Sequence, residues 1–272
     1  MLLLALSFGL LAVVGGPVLV HAGGTLLAAH RGGAQLWPEN SLLAFRSAIA
    51  LGADFLEFDV HLSKDGQVVV IHDPTLERTT TGAGPVSDRT LPELRALRLK
   101  GRDGKVTEEL VPTLDDVAHL VAPTPVRLLL EIKADAKRQR YPGIEEKILG
   151  ILESHGMAAR TIVMAFEEET VRRIGKLQPE VAAGRLYWQR NLDEMHSTIQ
   201  REIGAQRGLG ARFVGLHQEL VTAEVVKQAE QAGLLLGVWT VNDAGAMKRF
   251  IGMGVGILIT DRPDVAKELL GR

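Results

Sequence analysis

Eight short apolar runs recur along the chain, each followed by a stretch with helical spacing, and this alternation restricts the architecture more than any other feature. The runs begin at Thr25, Asp54, Val126, Thr161, Ala182, Arg212, Leu235 and Gly256. Several of them lack polar alternation, as suits strands buried on both faces of a helix-covered parallel sheet. Helical patterns fill the intervals at 143–155, 167–177, 192–206, 222–232, 243–251 and 263–270. Alternation of this kind predicts a parallel sheet, and eight units in about 250 residues match an α/β TIM (β/α)8 barrel. An open doubly wound sheet is the competing architecture. The evenness of the repeats and the absence of a glycine-rich nucleotide fingerprint after the first strand favour closure.

The first unit shows the local logic. Thr25-Leu26-Leu27-Ala28-Ala29 is apolar up to His30-Arg31-Gly32-Gly33, where polar chemistry begins. Pro38-Glu39-Asn40-Ser41 supplies helix-start residues before Leu42, Leu43, Phe45, Ala48 and Ile49, and Gly52 ends the helix.

The second strand, 54–60, carries Glu57 and Asp59 at a two-residue interval, so both carboxylates share one face while Leu56, Phe58 and Val60 take the other. Asp65-Gly66 then signals a hairpin with a type I′ turn. If Lys64 pairs with Gln67, register counting sets Asp59 opposite His72, which brings Glu57, Asp59 and His72 together. The competing reading is a solvated edge hairpin with its polar face in water.

Residues 73–111 are irregular and read as an insertion after strand two, with a short helix expected at 91–99; with the hairpin it spans about 61–111. Connections of that length usually carry function or cover a site. Thr79, Thr80 and Thr81 read as turn chemistry. Residues 112–121 look like a capped amphipathic helix.

Of the 272 residues, 46% are hydrophobic and 24% charged, with a formal net charge of −2 and no long run of like charge, so neither nucleic acid nor an anionic membrane is a suggested partner. The chain has no cysteine, which excludes disulfides, thiolate metal sites and a cysteine nucleophile. Residues 1–22 read as a secretory signal: an apolar stretch, a Gly15-Gly16-Pro17 break, and Val20-His21-Ala22 at peptidase spacing. No Lys or Arg precedes the apolar stretch, so an uncleaved anchor remains the alternative, although the run is short for a span of about 20 residues. The expected organisation is a signal at 1–22 and a catalytic barrel at 23–272. The protein is expected to be exported, periplasmic or extracellular, and to contact a membrane only if that segment stays attached.

In a barrel of this kind all strand C-termini open on one face. There His30 and Arg31 from strand one meet Glu57 and Asp59 from strand two, His72 from the hairpin, and Glu131 and Lys133 from strand three. Three carboxylates with no soft ligand suit one hard divalent cation, Ca²⁺ or Mg²⁺, better than zinc. Arg31 and Lys133 add fixed positive charge suited to a phosphate. Two histidines beside a phosphate can act as general acid and general base. Glu131 and Lys133 also read as a structural ion pair on one strand face. His61, His119, His155 and His196 are expected to be solvated or on helix surfaces, and His217 is left between substrate contact and a plain strand end.

The ordered set His30-Arg31-Gly32, Pro38-Glu39-Asn40-Ser41, Glu57-Phe58-Asp59-Val60, Lys64-Asp65-Gly66, Val70-Ile71-His72-Asp73, Leu76-Glu77-Arg78-Thr79-Thr80-Thr81-Gly82, Glu131-Ile132-Lys133, Gly237-Val238-Trp239-Thr240-Val241-Asn242 and Ile259-Thr260-Asp261-Arg262-Pro263 resembles the glycerophosphodiester phosphodiesterase family. The resemblance implies metal-dependent hydrolysis of small glycerophosphodiesters to sn-glycerol 3-phosphate and an alcohol, on a barrel with a small insertion. It implies that His30 and His72 are the acid–base pair, that Glu57, Asp59 and Glu131 hold the metal, and that Arg31 and Lys133 bind phosphate. Trp239 becomes an apolar wall for the glycerol or the leaving group, with a core role as the alternative. A lysophospholipase D or phosphoinositide-type relative and a non-catalytic phosphopolyol-binding protein are the rival readings.

Overall fold

Every expected strand forms. The structure, a computed structural model, describes residues 24–272, and the expected signal segment lies outside the described residues. In chain order the strands are β1 (Leu26–Ala29), β2 (Phe55–Leu62), β3 (Val68–Val70), β4 (Arg98–Lys100), β5 (Val106–Leu110) and β6 (Arg127–Ile132). They continue with β7 (Thr161–Ala165), β8 (Ala182–Tyr187), β9 (Phe213–His217), β10 (Leu235–Trp239) and β11 (Ile257–Thr260). The helices are α1 (Leu42–Leu51), α2 (Leu91–Arg95), α3 (Leu114–Val121), α4 (Ile144–Ser154), α5 (Glu168–Leu177), α6 (Gln189–Glu194), α7 (Ile199–Gln206), α8 (Ala223–Gln231), α9 (Ala244–Gly252) and α10 (Pro263–Leu269).

β1, β2 and β6 through β11 pair in parallel, and β11 returns to β1, so the eight strands close into the TIM barrel that the alternation predicts. Each strand is buried on both faces because its two faces meet different cores. Leu56, Phe58 and Val60 of β2 face outward, into a cluster with Leu128 and Leu130 of β6 and the helix residues Phe45, Val117 and Ile148. Phe55, Leu129, Ile162, Leu186, Phe213, Leu235 and Ile257 fill the interior. Full burial of such a side chain contributes about 1.5–3 kcal/mol, so the two layers together hold the barrel closed. Phe213, through its backbone and its interior ring, demands glycine around it. A Cβ on Gly184 would lie 1.9 Å from the Phe213 carbonyl oxygen, and one on Gly237 would lie 2.8 Å from the Phe213 ring.

The capping residues act as expected. Ser41 Oγ accepts from Ala44 N at the start of α1, and Thr113 with Asp116 forms a reciprocal capping box on α3.

Three expectations need correction. The hairpin turn is not a two-residue type I′ loop. The closing pair is Ser63 with Gln67, Gly66 N donates to Ser63 O, and Gly66 alone of the loop residues takes a left-handed φ, +76°, which makes a three-residue loop. Val60 then pairs with Val70, and Ile71 N donates to Asp59 O, so the residue opposite Asp59 is Ile71 and not His72. The short helix expected at 91–99 stops at Arg95. Beyond it Leu99 is buried between partly exposed neighbours, a period of two, and β4 pairs antiparallel with β5, a strand that the sequence reading did not include. The helix expected at 192–206 is two helices, because His196 adopts φ +48° and the Thr198 hydroxyl caps a new start at α7.

The insertion has its own small core of Val69, Ile71, Leu76, Val86, Leu94, Leu99 and Val111. Because Val69 and Ile71 belong to the hairpin, this core fixes the segment that presents His72.

Candidate active site

Toward the C-terminal ends of the strands, the inward positions change from apolar side chains to charges and rings. Two-residue steps carry Ala28 to His30, Phe55 to Glu57 and Asp59, and Leu129 to Glu131 and Lys133. On the far side, Met164 leads to Phe166, Leu186 to Trp188, Gly237 to Trp239, and Ile259 to Asp261. These positions open on a cavity of about 290 Å³. One half is lined by His30, Arg31, Glu57, His72, Glu131 and Lys133; the other by Met164, Phe166, Leu186, Trp188, Trp239 and Ile259.

Glu57, Asp59 and Glu131 converge, with one oxygen of each lying within 4.8 Å of the others, and all three are buried. The parallel register that pairs Asp59 with Glu131 puts them side by side. Burial, then the charges of Asp59 and Glu131, push the Glu57 carboxyl well above its ordinary range. Burial also disfavours a charge on Asp59. His72, Lys133 and Arg31, with a 3.0 Å hydrogen bond from Asn40 Nδ2, outweigh it and hold that carboxyl far below its usual value. Asp59 Oδ1 is buried without a hydrogen bond, 3.4 Å from Lys133 Nζ. Three crowded carboxylates and an orphaned lone pair fit a hard divalent cation, for which these three residues supply an all-oxygen donor set.

Positive charge surrounds the group. Lys133 Nζ donates to Glu131 Oε1 at 2.8 Å, so the ion pair read from the strand face forms within the site. Although desolvation opposes it, the charges of Glu131 and Asp59 raise the lysine pKa. Arg31 sits at φ +51°, uncommon for a non-glycine residue. Its backbone N–H donates to Glu57 Oε2 at 2.9 Å, while Nη1 reaches Glu39 and Nε lies 3.5 Å from Asp59. Those contacts hold the unusual conformation at the cavity wall.

Both histidines are oriented by carboxylates. His30 Nδ1 lies 2.6 Å from Asp261 Oδ1, and Asp261 Oδ2 accepts from Asn242 Nδ2 at 2.7 Å. His72 Nδ1 lies 2.6 Å from Asp73 Oδ1. Burial works against the charge on each aspartate, yet hydrogen bonds keep both below the usual carboxylate range, from His30 and Asn242 on Asp261 and from His72 and Arg78 on Asp73. An ionised carboxylate only accepts, so each Nδ1 carries its proton and Nε2 is left free to accept one.

All eight residues singled out in the sequence therefore gather at one place, with Asp59 beneath the cavity surface. His72 reaches it although the expected cross-strand pairing with Asp59 does not exist, because it lies just beyond β3 where the strand ends. His61 is not a solvated residue. It is fully buried, with Nδ1 2.9 Å from the Tyr141 hydroxyl and Nε2 3.0 Å from the His72 carbonyl oxygen, so it supports the His72 backbone. His217 sits against Trp239, ring centroids 5.2 Å apart.

Sequence reasoning gave no role in the site to Asp261, Asn242, Asp73, Arg78, Glu39 or Asn40, nor to Phe166 and Trp188. For Asp261, Phe166 and Trp188 the signal was present: each continues the two-residue inward series of its strand by one step.

Comparison with known proteins agrees with this arrangement. The profile of the Glycerophosphoryl diester phosphodiesterase family matches residues 30–265. A glycerophosphodiester phosphodiesterase of Caldanaerobacter subterraneus is 35% identical over 90% of this chain and 98% of its own length. A second protein of that name, from Bacillus subtilis, is 30% identical over 97% of this chain and 94% of its own. Among solved structures, an Oleispira antarctica phosphodiesterase in complex with the product sn-glycerol-3-phosphate superposes with a TM-score of 0.74 at 25% identity, covering 92% of this chain and 98% of that one.

Proposed function

The chain belongs to the glycerophosphoryl diester phosphodiesterase family, and from that premise we propose that it hydrolyses glycerophosphodiesters to sn-glycerol 3-phosphate and an alcohol at the site around Glu57, Asp59 and Glu131. The observation that carries this reading is the meeting of a three-carboxylate cluster with two carboxylate-oriented histidines at one small cavity.

Glu57, Asp59 and Glu131 would hold one divalent cation, and the all-oxygen donor set suits Ca²⁺ or Mg²⁺. When bound, such an ion supplies charge that polarises the phosphoryl group and eases deprotonation of a hydroxyl or water. The residues of the chain do the rest. Arg31 and Lys133 bind the phosphoryl oxygens from one wall. His30 and His72 present Nε2: one, unprotonated there, takes the proton of the attacking oxygen, and the other, which has taken up a proton at Nε2 beforehand, gives it to the departing alcohol oxygen. Overall the P–O bond to the alcohol breaks and one to the attacking oxygen forms. Asp261 and Asp73 keep each imidazole in the tautomer those transfers need. Trp239 and its neighbours exclude water from the opposite wall.

The test is release of glycerol 3-phosphate from glycerophosphodiesters while Ca²⁺ and Mg²⁺ are titrated separately into chelator-treated protein. Loss of one acid–base histidine is expected to cost about 10²–10⁴-fold. A His72→Ala protein with full cation-dependent activity would overturn the reading.

We propose also that residues 1–22 direct export. The measurement is N-terminal sequencing of the exported protein; a start at Gly23 supports cleavage, and an intact Met1 on a membrane-bound protein supports an anchor.

A further inference from the structure

Three neighbouring strands and one beside them end in rings at the same inward position. Phe166 follows β7, Trp188 follows β8, His217 closes β9 and Trp239 closes β10, and these strands are adjacent in the sheet. The rings do not stack. Phe166 and Trp188 have centroids 6.1 Å apart with planes at 53°; Phe166 and Trp239 are 6.0 Å apart at 87°. Rings turned so steeply form a corner, and all three line the cavity opposite the charged half. Trp188, 40% exposed, stands at its mouth.

The corner is poor in hydrogen-bond acceptors. Among the described residues that line this half, the polar side-chain groups are the Thr240 hydroxyl and the indole N–H groups of Trp188 and Trp239, of which Trp239 Nε1 is buried without a hydrogen bond; the indoles donate and cannot accept. The buried cation Arg185, which reaches the corner only through the backbone, is engaged elsewhere, donating to the Phe166 carbonyl oxygen and paired with Glu168 and Glu202. The cations that do line the cavity, Arg31 and Lys133, lie in the other half and are paired with Glu39, Asp59 and Glu131.

An alcohol bearing N–H or O–H groups, such as ethanolamine, glycerol or inositol, would bury donors here with few acceptors. A trimethylammonium group carries charge without a single N–H, and aromatic faces attract it directly. The cavity, about 290 Å³, is at the small end of ligand pockets, which run from roughly 300 to 1,000 Å³, a size that matches glycerophosphate with a compact alcohol.

We propose that Phe166, Trp188 and Trp239 form a subsite for a quaternary ammonium alcohol, so that the enzyme prefers choline-bearing glycerophosphodiesters. This rests on the hydrolase reading above and specifies the alcohol it releases.

The experiment compares kcat/KM for glycerophosphocholine, glycerophosphoethanolamine and glycerophosphoinositol, with a lysophosphatidylcholine as the acyl-bearing arm. The expected result is at least a tenfold preference for the choline diester over the ethanolamine diester. In Trp188→Ala and Phe166→Leu proteins, with folding checked by thermal melting, that ratio falls toward one, and in Trp188→Phe most of it returns. A wild-type ratio near one, a preference for inositol or for the lysophospholipid, or a ratio unchanged in Trp188→Ala overturns the proposal while leaving diester hydrolysis intact. If no diester is turned over, the hydrolase reading fails instead. Quenching of tryptophan fluorescence by glycerophosphocholine against glycerophosphoethanolamine then still decides the subsite, equal responses counting against it.

Discussion

Arg78 grips Asp73 with two hydrogen bonds, Nε to Oδ2 at 2.6 Å and Nη2 to Oδ1 at 2.8 Å, and the same Oδ1 lies 2.6 Å from His72 Nδ1. The other side of the guanidinium forks onto Glu39, which also accepts from Arg31. One side chain from the insertion thus ties the carboxylate behind His72 to the carboxylate behind Arg31. Lysine can restore the charge there but not the fork. Arg78→Ala is expected to lower kcat on the order of 10²-fold, the scale of a displaced catalytic group, with KM changing far less. Arg78→Lys should recover only part of it. Steady-state kinetics on both proteins checks this, and a fully active Arg78→Lys would show that charge alone suffices.

The barrel interior makes a prediction about stability. A Cβ at position 184 would fall 1.9 Å from a backbone oxygen, that of Phe213, whereas a Cβ at position 215 would fall 2.4 Å from the movable end of Leu186. Both overpack, but only the second can be relieved by a side-chain shift. Gly215→Ala is expected to cost about 1–3 kcal/mol and Gly184→Ala more. Urea midpoints of the two proteins give the comparison, and equal losses would mean that the strands themselves yield.

The barrel was legible because its two cores write a simple pattern. A strand buried on both faces is a short apolar run, and eight such runs alternating with capped helices leave few other folds. Glu57, Asp59, Glu131 and Lys133 were legible for the same reason, as charges that no buried strand tolerates without a partner. The hairpin register was not. Asp65-Gly66 is compatible with two loop lengths, and the choice falls to Ser63, whose hydroxyl accepts from Gln67 N and donates to Asp65, contacts that close the longer loop. His61 was misplaced because, on a strand, its polarity suggested water. Its partners are Tyr141, far along the chain, and a carbonyl oxygen of the hairpin, which a local pattern does not reveal.

That burial gives His61 a measurable signature. Desolvation lowers its pKa from 6.5 to about 4, outweighing the hydrogen bond to the His72 carbonyl. The folded protein therefore binds the proton less readily than the unfolded chain. Stability from this group is intact above about pH 6.5 and is lost as pH falls toward 4, on the order of 3 kcal/mol in all. His61→Phe should be less stable at neutral pH, with two polar partners left unmatched, yet lose less of its stability between pH 6.5 and 4. Melting temperatures of both proteins across that window test the difference; parallel curves would place the acid sensitivity elsewhere.

Glu57 acts with the opposite sign. Burial and two neighbouring carboxylates raise its pKa, so the folded protein holds that proton more tightly than the unfolded chain, for which the ordinary value is 4.5. Cation-free protein should lose stability as pH rises above about 4.5 and continue to lose it until the raised pKa is passed. A divalent cation competes with the proton for the same oxygens, so Ca²⁺ or Mg²⁺ should stabilise more at neutral than at acid pH. Glu57→Gln removes the repulsion and a cation ligand together. It is expected to melt higher than wild type in chelator at neutral pH, to gain little from added cation, and to lose at least 10²-fold in activity. Thermal melts with and without cation separate these effects. A Glu57→Gln protein that is still stabilised like wild type would move the cation away from this carboxylate cluster.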